Sequence, residues 1–186
     1  RMEVPTNELG TFVELASEMA TAFDAVPDQL AESMGKVAKN FKRPVTEIRG
    51  LADAINYLDD NAISKGADII DVLIRTSGVA STVGISAENA AALGSTLLTL
   101  GERAETASTA INAIFTKFAA ATKGTKKFKA AVDEIGMTTE EIQSGMAKDA
   151  AGTLMKVAEA IRALPQDKRI GVMAGLVGLE HRDTLA

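Results

Sequence analysis

The chain has 186 residues, 46% of them hydrophobic and 24% charged, which suits one globular domain or two small helical ones and excludes a disordered tail. It has no cysteine and only 4% aromatic residues, so a disulfide-stapled secreted domain and a sheet-rich fold are both disfavoured. The formal net charge of −5 opposes non-specific attraction to nucleic acid or an anionic membrane, although a local basic patch is compatible with it.

From the beginning of the chain, apolar residues recur with the 3.6-residue period of an amphipathic helix. This period predicts a first helix over residues 11–23 and a second helix from Pro27 to about residue 40. A third helix is predicted from Pro44 to about residue 58, where Asp59-Asp60-Asn61 ends it. Both prolines suit the first helical position, because that position needs no backbone N–H donor.

Serine and glycine signals divide the middle of the chain. Ser64 is a predicted N-cap for the fourth helix. The Ser-Gly pair at 77–78 is predicted to bend or end that helix before a short helical turn to residue 83, and Gly84 is placed to end this turn. Ser86 is the predicted N-cap of the next helix, which Gly101 closes.

A long helix is predicted over residues 106–121, followed by a loop at 122–125 and a helix over 126–135 that Gly136 stops. The long helix carries two phenylalanines on its apolar stripe. This stripe and the asparagine beside it are our candidates for helix packing or self-association. They are Ala110, Ile111, Asn112, Ile114, Phe115 and Phe118.

Three further signals mark the last helices. Thr138 and Glu141 have capping-box spacing, Asp149 is a predicted N-cap, and Pro165 opens the final helix. No segment alternates with a period of two between hairpin turns, so no strand is predicted. The sequence therefore predicts an all-α fold, a compact multi-helix bundle of short amphipathic helices whose turns are marked by Gly and Pro.

The domain organisation is predicted to be a single helical segment over residues 1–186. A subdivision near 59–64 would separate residues 1–60 from residues 61–186. Both ends of the sequence look arbitrary, because residues 178–186 resemble a connection that enters another helix and then stops. We therefore expect this sequence to be a piece of a longer protein.

Side chains that could carry catalysis are sparse. His181 is the only histidine, so nucleophilic catalysis would depend on it, and zinc would have to be held by carboxylates alone. His181-Arg182-Asp183 matches the kinase catalytic-loop triplet, but the Gly-rich loop and metal-binding Asn of a kinase are missing. Asp59-Asp60-Asn61 resembles the start of a calcium loop, yet Ile63 and Ser64 occupy its fifth and sixth positions. We predict no enzyme activity, no catalytic residue, no cofactor and no metal.

Five lysines form a local basic patch. They are Lys117, Lys123, Lys126, Lys127 and Lys129. The order Lys-Gly-Thr at 123–125 is not the Gly-Lys-Thr of a phosphate loop, and the upstream glycine of such a loop is missing. The patch could meet phosphates or an acidic partner, whereas a solvated helix face and loop is the simpler interpretation.

Six short segments follow one another along the chain: FVELASEMA at 12–20, LADAIN at 51–56, ADIIDV at 67–72, GISAE at 84–88, AINAIFTK at 110–117 and GLVGLE at 175–180. None of them is a chemical signature. In this order and spacing they resemble the core region of the tail tape measure proteins of long-tailed phages and prophages, over residues 12–186.

The resemblance implies a structural, mostly helical virion protein that fills the lumen of the growing tail tube, sets its length and is ejected with or ahead of the DNA. It implies self-association and contacts with the tail tube protein, tail chaperones and tail-tip proteins, in the host cytoplasm during assembly and then in the virion tail. It carries over no catalytic residue. We expect no specific nucleic acid and no membrane partner, since no apolar run approaches the ~20 residues of a span. The alternative is a helical protein–protein interaction module without a ruler role.

Overall fold

The structure, a computed structural model, describes residues 9–23, 25–44 and 47–178. These residues form ten α-helices and no strand. The all-α prediction is therefore confirmed. The helices are α1 Leu9–Ala22, α2 Pro27–Asn40, α3 Ile48–Asn61, α4 Gly66–Thr82, α5 Ala87–Thr99, α6 Ala104–Ala119, α7 Lys126–Glu134, α8 Thr139–Lys148, α9 Ala150–Ala163 and α10 Gln166–Val177. The 3-10 turn Ala121–Lys123 connects α6 to α7.

Most predicted helix ends are confirmed by the backbone. Gly84 and Gly136 follow α4 and α7 with φ angles of 78° and 72°, a left-handed conformation that glycine adopts without a steric penalty. The side chains of Ser86 and Asp149 accept hydrogen bonds from backbone N–H groups in the first turns of α5 and α9. Thr125, which was predicted only as part of a loop, caps α7 by accepting from the N–H of Phe128 at 3.2 Å.

The prediction that Ser64 is the N-cap of α4 is wrong. Ser64 is buried, and its hydroxyl oxygen lies 2.7 Å from that of Ser95 in α5. The helix begins at Gly66, whose backbone N–H donates to the Asp59 carboxylate at 2.6 Å. A carboxylate from the preceding turn therefore meets the positive end of the helix, where an anion is stabilising, and Ser64 pairs with a neighbouring helix instead.

The Ser-Gly pair at 77–78 does not end α4, since the helix continues to Thr82, and the predicted bend at this pair stays a prediction. The hydroxyl of Ser77 donates to the carbonyl of Ile74 at 3.0 Å and accepts from the Asn40 amide of α2 at 2.6 Å. The serine is thus satisfied inside the helix by a partner from another helix. The predicted opening of the third helix at Pro44 differs too, since α3 begins at Ile48 and residues 45–46 lie outside the described residues.

The chain divides into two units. Unit 1 contains the residues up to Ser81 together with Ser86–Ser108, and unit 2 contains Thr82–Ile85 and the residues from Thr109 onward. Residues 59–64, where the sequence suggested a subdivision, lie inside unit 1. The organisation as one segment of a longer chain stays a prediction.

Unit 1 is built on α1, which packs against α2 and α3, and on α3, which also packs against α5. Its buried side chains follow the apolar stripes of α1 to α5 and include Phe12, Leu15, Met19, Met34, Val37, Leu51, Ile55, Leu73 and Leu97. Arg43, after α2, makes a two-pronged ion pair with Glu88 in the first turn of α5, and one prong measures 2.9 Å. Such a planar pair fixes orientation as well as distance.

Unit 2 contains α7 to α10, with α10 against both α7 and α9, and α8 against α9. Its core includes Ile111, Ile114, Phe115, Phe118, Phe128, Val132, Ile142, Met146, Val157, Ile161 and Leu176. The rings of Phe118 and Phe128 lie 6.1 Å apart between centroids. The Gln143 side chain of α8 accepts hydrogen bonds from the N–H and the hydroxyl of Thr122, which ties α8 to the 3-10 turn.

The predicted capping box at α8 is confirmed and makes the stability of this helix depend on pH. Thr138 accepts from the Glu141 N–H at 3.1 Å, and its own N–H donates to the Glu141 carboxylate at 2.8 Å. This backbone hydrogen bond, helped by one from the Thr138 hydroxyl, lowers the pKa of Glu141. A lowered folded-state pKa means that the stabilisation is complete above the unfolded-state pKa and is lost as pH falls through the folded-state pKa.

We therefore expect Glu141→Gln to be less stable than the wild type at pH 7 and equal to it well below pH ~4, where Glu141 is protonated. Urea denaturation at a series of pH values measures the difference. Glu140→Gln is the matched control, since it removes the same charge one position earlier, outside the capping box. A difference for Glu141→Gln that is the same at pH 7 and pH 2 contradicts the prediction.

Candidate interaction site

The residues predicted for helix packing or self-association lie on α6 in unit 2. Ala110, Ile111, Ile114, Phe115 and Phe118 are each at most 2% exposed, and Asn112 is half-buried. Their apolar surface is therefore covered by the chain itself. A second copy could reach these side chains only after α6 had left the core, so self-association through them stays a prediction.

The basic patch is resolved into two groups. Lys117, Lys123 and Lys127 line a groove of about 520 Å³, whereas Lys126 and Lys129 are exposed and do not line it. We call this feature the lysine groove. It lies between the end of α6, the 3-10 turn, the first turn of α7 and the end of α10, and it also includes Ala120, Phe128, Gly175 and Leu176.

The three lysines of the groove have different surroundings. The ammonium group of Lys117 donates a hydrogen bond to the carbonyl oxygen of Val177, the last residue of α10. A cation at this position satisfies an unpaired carbonyl and meets the negative end of the helix. Lys123 and Lys127 are exposed and make no ion pair among the residues that the structure describes.

The groove exists because α10 approaches α7 closely. A Cβ atom on Gly175 would lie 2.7 Å from the Cβ of Ala131 and 3.2 Å from the carbonyl oxygen of Lys127. Only glycine lets the two helix backbones come this near. The sequence analysis did not predict this contact. The only signal for it is the presence of two small residues, Gly175 in α10 and Ala131 in α7, on the faces where the helices meet.

The side chains that line the groove are suited to binding a partner group. Its surface combines lysine ammonium groups with the exposed Ala120, which suits an anionic group attached to an apolar side chain. Phe128 is only 3% exposed, so its ring offers no face on which a nucleic acid base could stack.

The described residues offer little for metal binding or membrane insertion. Residues 9–23, 25–44 and 47–178 contain no group of three or more His, Asp or Glu side chains placed to hold a metal ion. The helices within these ranges are all too short or too polar to span a bilayer. His181 and the kinase-like triplet at 181–183 lie outside the described residues.

Comparison with known proteins identifies the family. Residues 1–178 match the family described as phage-related minor tail protein. The chain is also 31% identical over 169 residues to a probable tape measure protein of Halomonas phage phiHAP-1, a match that covers 91% of this chain and 20% of that protein. The chain thus spans about a fifth of the length of this curated relative. No solved structure matches the chain.

These matches confirm the resemblance that was drawn from the six ordered segments. Like the resemblance, the matches extend over nearly the whole sequence. The chain belongs to the phage-related minor tail protein family.

Proposed function

We propose that this chain is a segment of a tape measure protein that fills the lumen of the tail tube and sets the length of the tail. The observation that carries the proposal is the 31% identity over 91% of the chain to a probable tape measure protein. The helical content of the described residues supports it, since a helix converts residue number into length at ~1.5 Å per residue. The proposed location is the host cytoplasm during assembly and then the tail lumen, from which the segment leaves with the DNA.

The folded helices and a length-setting role are compatible if the helices can open. As one continuous helix the 186 residues would span roughly 280 Å, whereas the caps and glycines divide them into ten short helices over the described residues. We infer that these amphipathic helices unpack and pair again with other copies inside the tube. The α6 stripe, with Ile111, Phe115 and Phe118, then changes its partner from the chain's own core to neighbouring copies or the tube protein.

Tail length is the measurement that tests the proposal. Deleting this 186-residue segment from the full-length protein is expected to shorten the tail by up to roughly 280 Å in electron micrographs, and duplicating it to lengthen the tail by as much. Replacing it with an unrelated helical sequence of equal length is the control and should restore the length. Tails that assemble without the segment at unchanged length would refute the ruler role.

The second candidate function is a helical protein–protein interaction module, which the exposed Lys123 and Lys127 of the groove favour. In that case the deletion leaves tail length unchanged and removes one tail component from the purified particles. The two functions are thus separated by the same set of tail preparations, one through length and the other through composition.

A further inference from the structure

We propose that the lysine groove of one copy of this chain receives an acidic stripe on a second copy. The stripe consists of Asp53, Tyr57 and Asp60 on α3, with Ile63 in the turn that follows. This contact is formed by folded molecules and is separate from the opening of α6. It rests on the proposed structural role only because that role brings copies of the chain together. The contact itself is tested on the purified chain.

Charge is distributed unevenly along this chain. Residues 106–132 contain five lysines and no Asp or Glu, whereas residues 50–74 contain five aspartates and one basic residue, Lys65. Each copy therefore presents a cationic and an anionic segment of similar length. Opposite potentials of this kind steer two molecules into one relative orientation.

The acidic stripe has the geometry of a docking element. Asp53, Tyr57 and Asp60 are spaced by four and three residues and are all exposed, so they lie on one face of α3. Tyr57 is 66% exposed and Ile63 is 78% exposed, both large apolar side chains in water. Asp60 accepts a hydrogen bond from Asn56 at 3.0 Å, and neither Asp53 nor Asp60 pairs with a cation among the described residues.

The groove and the stripe match in size and in chemistry. A groove of about 520 Å³ lies within the ~300–1,000 Å³ of typical concave binding sites and has room for the Tyr57 ring against the exposed Ala120. The carboxylates one helical turn before and after this ring would then reach Lys123 and Lys127. Tyrosine combines a large contact area with little conformational freedom to lose, which makes it a frequent anchor of interfaces.

The contact joins two different surfaces, the groove of one copy and the stripe of another. Two copies can exchange both contacts reciprocally about a two-fold axis, or share one contact and leave the other groove and stripe for further copies. In both arrangements the association rises with protein concentration and depends on the same lysines and aspartates.

Sedimentation velocity of the purified chain is the test. We expect the wild type to associate, and Lys123→Glu with Lys127→Glu to weaken the association at least about tenfold, a loss of about 1.4 kcal/mol. Lys126→Glu with Lys129→Glu is the matched control, because it changes the net charge equally but lies outside the groove. Asp53→Lys with Asp60→Lys should be as weak as the groove variant, and raising salt from about 0.05 M to about 0.5 M should weaken the wild type.

Mixing the groove variant with the stripe variant is the most direct test of the contact. The groove variant keeps a native stripe and the stripe variant keeps a native groove, so a mixture of the two should associate more strongly than either variant alone. Circular dichroism verifies that each variant retains its helices. The proposal is overturned by a wild type that stays monomeric, by equal weakening in the groove variant and its control, or by a mixture that remains monomeric. Binding of a labelled DNA duplex through Lys123 and Lys127 without self-association would overturn it in favour of a phosphate site. All these outcomes are independent of tail length.

Discussion

Replacing Phe118 with alanine is expected to lower the free energy of unfolding by about 3–5 kcal/mol. Phe118 is 0% exposed, and its ring lies 6.1 Å from that of Phe128. The substitution removes this aromatic contact and leaves a cavity, since α6 and α7 are held in place by their remaining contacts and cannot close over the gap. A loss of this size is a large share of the stability of an ordinary domain.

Urea denaturation followed by circular dichroism measures this change. Met155→Ala is the control, because Met155 is a large apolar side chain in the same unit but is 63% exposed. It should change the free energy of unfolding by no more than about 0.5 kcal/mol. Equal costs for the two substitutions would mean that Phe118 does not lie in a packed core.

The Gly175→Ala substitution should destabilise the chain by about 1–3 kcal/mol, although alanine is the better helix former. Its Cβ would lie 2.7 Å from the Cβ of Ala131 and 3.2 Å from the Lys127 carbonyl oxygen. A neighbouring Cβ and a backbone oxygen cannot rotate away, so α10 must move off α7. This displacement outweighs the helix-propensity gain of about 1 kcal/mol.

The matched control is Gly171→Ala in the same helix. A Cβ on Gly171 would meet nothing within 4 Å, so only the propensity gain remains, and the chain should become more stable by about 0.5–1 kcal/mol. The same denaturation experiment measures both variants. The prediction is thus a difference in sign between two identical substitutions one turn apart, and two changes of the same sign would contradict the close approach of α7 and α10.

Local signals in the sequence were sufficient for most helix ends. The capping box at Thr138, the cap at Asp149 and the glycine stop at Gly136 depend only on residues within a few positions, and the structure has all three. The errors occur where a distant residue takes part. Ser77 remains helical because Asn40 hydrogen-bonds to it, and Ser64 is not a cap because Ser95 pairs with it.

The candidate site was only partly predictable. The basic patch was visible in the sequence, but the selection of Lys117, Lys123 and Lys127 as groove residues depends on where α10 packs. That position depends on the contact between Gly175 and Ala131, which has no local signature. The apolar stripe of α6 was also visible, yet periodicity alone does not distinguish burial within a chain from burial between chains.

Burial of the α6 stripe within the chain is the central structural claim, because both the stability predictions and the proposed opening in the tail depend on it. Amide hydrogen exchange of α6 in the purified chain measures it directly. We predict that the amides of Ile111 to Phe118 exchange at least about a thousandfold more slowly than in an unfolded chain, through opening of the whole core. Exchange of these amides at nearly the unfolded rate would contradict the account.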